Sequence, residues 1–201
     1  MAKTKKTKQP QAIRVMGCDM GTKNFGVTVI KAAIVDGVFR FKIEGTAMMG
    51  QMIKDITNIQ REAEAFKKEF ARLPEVDYLA AERYQTRPGG RGKRAGGGST
   101  VESISMMLGI MLCERAHTPI TYYTAATWKN AFNRTAADLK EMYEDTKHLK
   151  EFAIHQLDST LIAIYHACKI LGVPPYPFIT SYKHERLLVE RLLAAPNLFA
   201  T

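Results

Sequence analysis

Residues 12–35, AIRVMGCDMGTKNFGVTVIKAAIV, contain two apolar runs rich in β-branched residues, Ala12–Cys18 and Phe25–Val35, separated by a glycine-bearing turn. That pattern predicts the two strands of a hairpin. Val38–Gly45 follows with alternating character (Val38, Phe39, Arg40, Phe41, Lys42, Ile43) and extends the meander to a third strand. The period then changes. Met52, Ile56, Ile59, Ala63, Phe66 and Phe70 step by four and three, the stripe of an amphipathic helix packed on a sheet, and Pro74 ends it. Val76–Ala81 is short and nearly all apolar, as a central strand covered on both faces should be.

Residues 86–98, TRPGGRGKRAGGG, cannot hold regular structure and read as a flexible Gly/Arg-rich loop. Ser99 and Glu102 form a capping-box pattern, which predicts a helix through about Glu114 with Ile104, Leu108, Met111 and Leu112 inward. Pro119–Tyr123 is the expected fifth strand. Short helices are expected at Ala125–Phe132 and across Thr135–Lys150. A last core helix runs from about His155 to Leu171, stopped by Gly172 and Pro174, and an amphipathic segment covers His184–Leu193. The order predicts an α/β, ribonuclease-H-like fold: a five-stranded mixed sheet, three antiparallel strands and then parallel ones, flanked by helices. Residues 1–11 read as a disordered basic tail and 12–201 as a single domain.

The chain has 201 residues, 46% of them hydrophobic, enough for one domain with a sizeable core. Its formal net charge of +9 is matched by two acid-free segments. Lys3, Lys5, Lys6 and Lys8 lie in the tail; Arg83, Arg87, Arg91, Lys93 and Arg94 lie in and before the loop. Basic segments on a neutral body suggest a polyanion, nucleic acid above all, although a solubilising tail and a solvated loop have the same composition. Cys18, Cys113 and Cys168 are isolated in apolar sequence and read as buried hydrophobes in a reducing cytoplasm. No run approaches the roughly 20 apolar residues of a membrane span, so a soluble, cytoplasmic protein is expected.

Asp19 ends the first strand before a turn, where open α/β sheets bind ligands; capping of a tight hairpin is the plainer reading. Glu82 closes an apolar strand, where a carboxylate is costly to bury without a partner; a cation or the adjacent Arg83 would serve. His155 and Asp158, spaced i, i+3, share one helix face, and an acid favoured by a helix N-terminus is the alternative there. Three carboxylates from two strand ends and one helix are hard ligands suited to Mg²⁺ or Mn²⁺. Two such ions about 4 Å apart activate a water and stabilise the leaving oxygen in phosphodiester cleavage.

Together, D-x-G-T at Asp19, A-A-E-R at Glu82 and H-x-x-D at His155–Asp158 resemble the RuvC-type Holliday junction resolvases, from about Ala12 to Leu171. The phage branch is the most similar, through D-x-G-T-K-N-x-G and Thr127-Trp128-Lys129. The resemblance implies a homodimeric crossover junction endodeoxyribonuclease of recombination and repair, acting in the host cytoplasm if phage-encoded. It implies symmetric nicking that leaves 5′-phosphate and 3′-hydroxyl ends. Two Mg²⁺ ions, replaceable by Mn²⁺, are then held by Asp19, Glu82, His155 and Asp158, with His155 a ligand or a proton handler. Lys129 would lie near the scissile phosphate. Tyr84, slightly out of register with the family's wedging aromatic, Lys23, Arg83, Lys147, Lys150 and the loop's Arg87, Arg91, Lys93 and Arg94 would contact DNA. The glycine-rich basic loop departs from bacterial members and widens the expected substrate from four-way junctions to forks and flaps. A relative cutting flaps or structured RNA, and a non-catalytic branched-DNA-binding protein, remain the other readings. The sugar-kinase and actin-like ATPase reading of D-x-G-T needs a second phosphate loop, which the sequence does not show.

Overall fold

The computed structural model describes residues 12–21, 23–50, 56–83, 97–132, 152–175, 188, 190–192 and 194–199. The expected tail, Met52, Tyr84, Arg87, Arg91, Lys93, Arg94, the helices across 135–150, Lys147 and Lys150 lie outside them.

Strands β1 (Ile13–Asp19), β2 (Asn24–Val35) and β3 (Val38–Gly50) form an antiparallel meander. Helix α1 (Ile59–Ala71), entered through a 3₁₀ turn at Ile56–Asn58, leads to β4 (Tyr78–Glu82). Helix α2 (Gly97–Glu114), β5 (Ile120–Tyr123), α3 (Ala125–Ala131) and α4 (Phe152–Leu171) follow. The sheet order is β3-β2-β1-β4-β5, with β4 parallel to both β1 and β5. Two apolar layers result. One gathers Val15, Ile30, Ala80, Trp128 and the apolar side of α4; the other gathers Met16, Phe25, Leu79 and the inner faces of α1 and α2.

The meander is longer than its alternation suggests. β3 continues through Thr46–Gly50, paired with Asn24–Thr28, and a bulge opposite Val29/Ile30 absorbs one extra residue. Helix α1 is seated through Glu62, Phe66 and Phe70, with Phe66 edge-on to Phe25 at 5.6 Å. Ile59, expected inward, is exposed in the first turn, ahead of the point where burial begins. Glu62 is buried instead and accepts from Arg61 Nη2 at 2.8 Å. In α2 the buried row is Ser103, Ile104, Met107 and Met111, and Leu112 is 51% exposed. Neighbouring helical residues point about 100° apart, so Met111 and Leu112 cannot both face the core. The helix starts at Gly97, which takes in the end of the supposed loop and puts Ser99 inside the first turn rather than at the cap. Cys18 and Cys168 are buried as expected, while Cys113 is exposed on the outer side of α2.

At two points helix α4 meets the sheet with no side chain between them. A Cβ on Gly17 of β1 would lie 2.0 Å from the Ser159 carbonyl oxygen and 2.7 Å from the Ala163 nitrogen. A Cβ on Gly26 of β2 would lie 2.3 Å from the His155 carbonyl oxygen. Only glycine lets backbone meet backbone at these two points. Buried hydroxyls fill the rest of the contact. Thr28 Oγ1 lies 2.8 Å from Ser159 Oγ, and Thr160 Oγ1 donates to the Gln156 carbonyl at 2.7 Å. The far end of α4 stops at Gly172, whose φ of 69° is the left-handed conformation of a helix C-terminus.

This packing makes Gly17→Ala costly: it should lower folding stability by about 3 kcal/mol or more, the upper range for overpacking, because the obstacle is backbone. Gly109→Ala in α2, whose Cβ meets nothing within 4 Å, should raise stability by up to about 1 kcal/mol. Denaturant midpoints of both variants check the pair, and a Gly17→Ala protein as stable as wild type would refute the close seating.

Candidate active site

Side-chain alternation decides which face carries the acids. On β1, Val15, Gly17 and Asp19 share the face covered by α4. On β4, Ala80 and Glu82 share that same face, since Ala80 belongs to the α4-side core. The ladder pair Cys18↔Ala81 sets Asp19 and Glu82 side by side at the carboxyl ends of adjacent parallel strands. Helix α4 begins at Phe152, a turn earlier than its sequence pattern predicts, so His155 and Asp158 sit inside the helix rather than at its first residue. The seating on Gly26 brings that part of α4 level with the strand ends.

Each acid is turned to a protein donor. His155 Nδ1 donates to Asp19 Oδ2 at 2.6 Å, and Asn24 Nδ2 reaches His155 Nε2 at 3.5 Å. Because a carboxylate oxygen accepts, the proton of this contact sits on Nδ1. Trp128 Nε1 donates to Glu82 Oε2 at 3.0 Å. Lys129 Nζ pairs with Asp158 Oδ2 at 3.2 Å and lies 4.7 Å from the centroid of the Trp128 ring. Helix α3 supplies both groups, capped by Thr124, whose hydroxyl accepts from the Thr127 amide at 3.2 Å. Arg83, expected as a partner of Glu82 or of DNA, is exposed, as is Lys23.

Burial pushes the Glu82 carboxyl up to about 7; the charges of Asp19 and Asp158 add to the rise, and Lys129 and the Trp128 hydrogen bond oppose it. All four expected carboxylate and imidazole residues and Lys129 therefore meet at one end of the sheet. Sequence reasoning quoted Asn24 and Trp128 only as members of the motifs D-x-G-T-K-N-x-G and Thr127-Trp128-Lys129 and gave neither a role at the site. Among the described residues, no three His, Cys, Asp or Glu side chains stand as a ready ligand set for an ion. The donor chemistry still fits a divalent cation: three carboxylates and an imidazole are hard or borderline ligands, and burial beside two other acids disfavours an uncompensated charge on Glu82.

No family model matches the chain, and no curated protein matches its sequence. Among solved structures, RuvC of Thermus thermophilus superposes with a TM-score of 0.57 at 15% identity, covering 80% of this chain and 98% of RuvC. The fold is that of RuvC. T. thermophilus RuvC in complex with a Holliday junction substrate gives 0.54 at 16% identity, covering 80% and 97%. The ribonuclease-H-like architecture expected from the sequence is thus borne out, with the acids at the strand ends of a RuvC-like sheet. No helix among the described residues is long and apolar enough to cross a membrane.

The raised Glu82 carboxyl has a consequence for stability. The folded chain holds that proton to about 7 against an ordinary 4.5, so it binds more protons than the unfolded chain between these values. Folding is therefore weakened as pH rises through that window and no further above it. In chelator, Glu82→Gln should gain thermal stability relative to wild type from pH 4 to 8, the gap opening between about 4.5 and 7. A gap independent of pH in melting curves would contradict the burial of this charge.

Proposed function

We propose that the chain is a divalent-metal-dependent endonuclease for branched DNA, with four-way junctions as its first substrate. The observation that carries the reading is the meeting of Asp19, Glu82, Asp158, His155 and Lys129 at one end of a RuvC-like sheet. The solved RuvC complex with a Holliday junction substrate and the phage-branch motifs D-x-G-T-K-N-x-G and Thr127-Trp128-Lys129 support the substrate class.

Asp19, Glu82, Asp158 and His155 would hold two Mg²⁺ ions, with Mn²⁺ as a substitute. When bound, the ions supply the charge that activates a water and stabilises the leaving oxygen, giving 5′-phosphate and 3′-hydroxyl ends. The protein's own groups do the positioning. Asp19 holds the His155 Nδ1 proton and leaves Nε2 as a base or ligand atom on the side of Asn24. Lys129, which pairs with Asp158, would offer its ammonium to a phosphate oxygen of the DNA. Arg83, Lys23 and the basic residues of the tail and loop add phosphate contacts, which fix position without reading sequence. A two-fold substrate cut twice calls for a two-fold protein, so a homodimer is part of the proposal. One observation favours a second reading, a non-catalytic branched-DNA-binding protein: every acid of the cluster is already turned to a protein donor.

A cleavage panel decides between them, using a four-way junction, a fork, a flap and structured RNA with Mg²⁺, Mn²⁺ or Ca²⁺. We expect cutting of branched DNA with Mg²⁺ and Mn²⁺. Asp19→Asn should bind the junction like wild type and cut it at least about 100-fold more slowly, the loss expected when several kcal/mol of cation stabilisation goes. Preference for RNA would overturn the substrate, wild-type cutting by Asp19→Asn would overturn the site, and an inert wild type that binds junctions would establish the second reading.

A further inference from the structure

We propose that Trp128 is the positioning residue of Glu82: its indole N–H fixes the carboxylate in the orientation that receives a divalent cation. The proposal rests on the metal-dependent nuclease reading above. Glu82 is the last residue of β4, and its side chain has freely rotating bonds that the strand does not restrain. Among the described residues its hydrogen-bond donor is Trp128, at 3.0 Å to Oε2. One donor on one oxygen orients the group and leaves lone pairs for a ligand. An indole suits this task because it donates only and has no lone pair with which to compete for the cation.

Trp128 is itself held rigidly. It is fully buried in the core layer beneath α4, together with Phe132, Leu157 and Leu161. Its helix is fixed at the start by the Thr124 cap. The next residue, Lys129, lies over the Trp128 ring and pairs with Asp158. One turn of α3 therefore governs an acid from β4 and an acid from α4. A fully buried tryptophan whose only polar atom is spent on a carboxylate of the cluster has the geometry of the outer partners that orient metal ligands.

The test uses the full chain. Trp128→Phe keeps an aromatic ring and removes the N–H; a thermal melt reports whether it is folded. Titration calorimetry with Mn²⁺ and no DNA should show affinity reduced by about 10–100-fold, the usual effect of losing such a partner. A second measurement needs no variant of Trp128. It is the chain's single tryptophan, so its indole gives one ¹⁵N–¹H resonance. That resonance should move in Glu82→Ala without metal, and in wild type it should shift on adding Mg²⁺. A folded Trp128→Phe that binds Mn²⁺ as wild type does would overturn the proposal. So would an indole resonance indifferent to both Glu82→Ala and Mg²⁺, which decides the matter even if Trp128→Phe does not fold. If wild type binds metal and cuts DNA beside an unchanged Trp128→Phe, the positioning role alone fails. If wild type neither binds metal nor cuts, the nuclease reading falls and this role with it.

Discussion

The approach of α4 to the sheet, backbone against backbone at Gly17 and Gly26, is the constraint that the candidate site depends on. A helix normally stands off a sheet by the thickness of its side chains. Here two glycines and a row of small residues, Ser159, Thr160 and Ala163, remove that thickness. The polar groups buried by so close a contact satisfy one another. Thr28, Thr46, Ser159 and Thr160 share hydroxyl contacts, and the Gln156 carbonyl accepts from Ser159 and Thr160. Such a network tolerates little displacement, because any shift strands a buried donor or acceptor. His155 and Asp158 inherit that precision.

The second determinant is electrostatic. Asp19, Glu82 and Asp158 come together where burial already disfavours charge at Glu82. Left alone, such a cluster would protonate or push apart. The fold answers with one donor per acid: an imidazole for Asp19, an indole for Glu82, an ammonium for Asp158. The indole carries no charge, so burial still disfavours the ionised form of Glu82. A divalent cation, as proposed above, would offset that penalty.

Helix α3 is short, yet it ties the two determinants together. Trp128 belongs to the packed layer beneath α4, and its polar edge belongs to the site. Two aromatic contacts in the same layer, Tyr123 with Tyr165 at 4.8 Å and Phe132 with Tyr165 at 6.4 Å, tie β5 and the C-cap of α3 to α4. Motion of α3 would therefore be felt at Glu82 and Asp158 together.

The strands were legible because alternation and β-branching record burial along a single element, and the acids closing β1 and β4 stood out against apolar runs. The finer readings that failed had two causes. Ile59 carries the right hydropathy for the core but lies in the first turn of α1, ahead of its buried stretch. Leu112 and Cys113 are turned away from the core because Met111, their neighbour on α2, takes the buried position. The sequence by itself determined the elements, their order and the identity of the acids, since these follow from local period and chemistry. Only the tertiary structure decided that Asp19 and His155, 136 residues apart, would touch, and that Trp128, 46 residues from Glu82, would hold it. Such contacts are set by strand register and by the distance between helix and sheet, and neither quantity is written along any one segment of the chain.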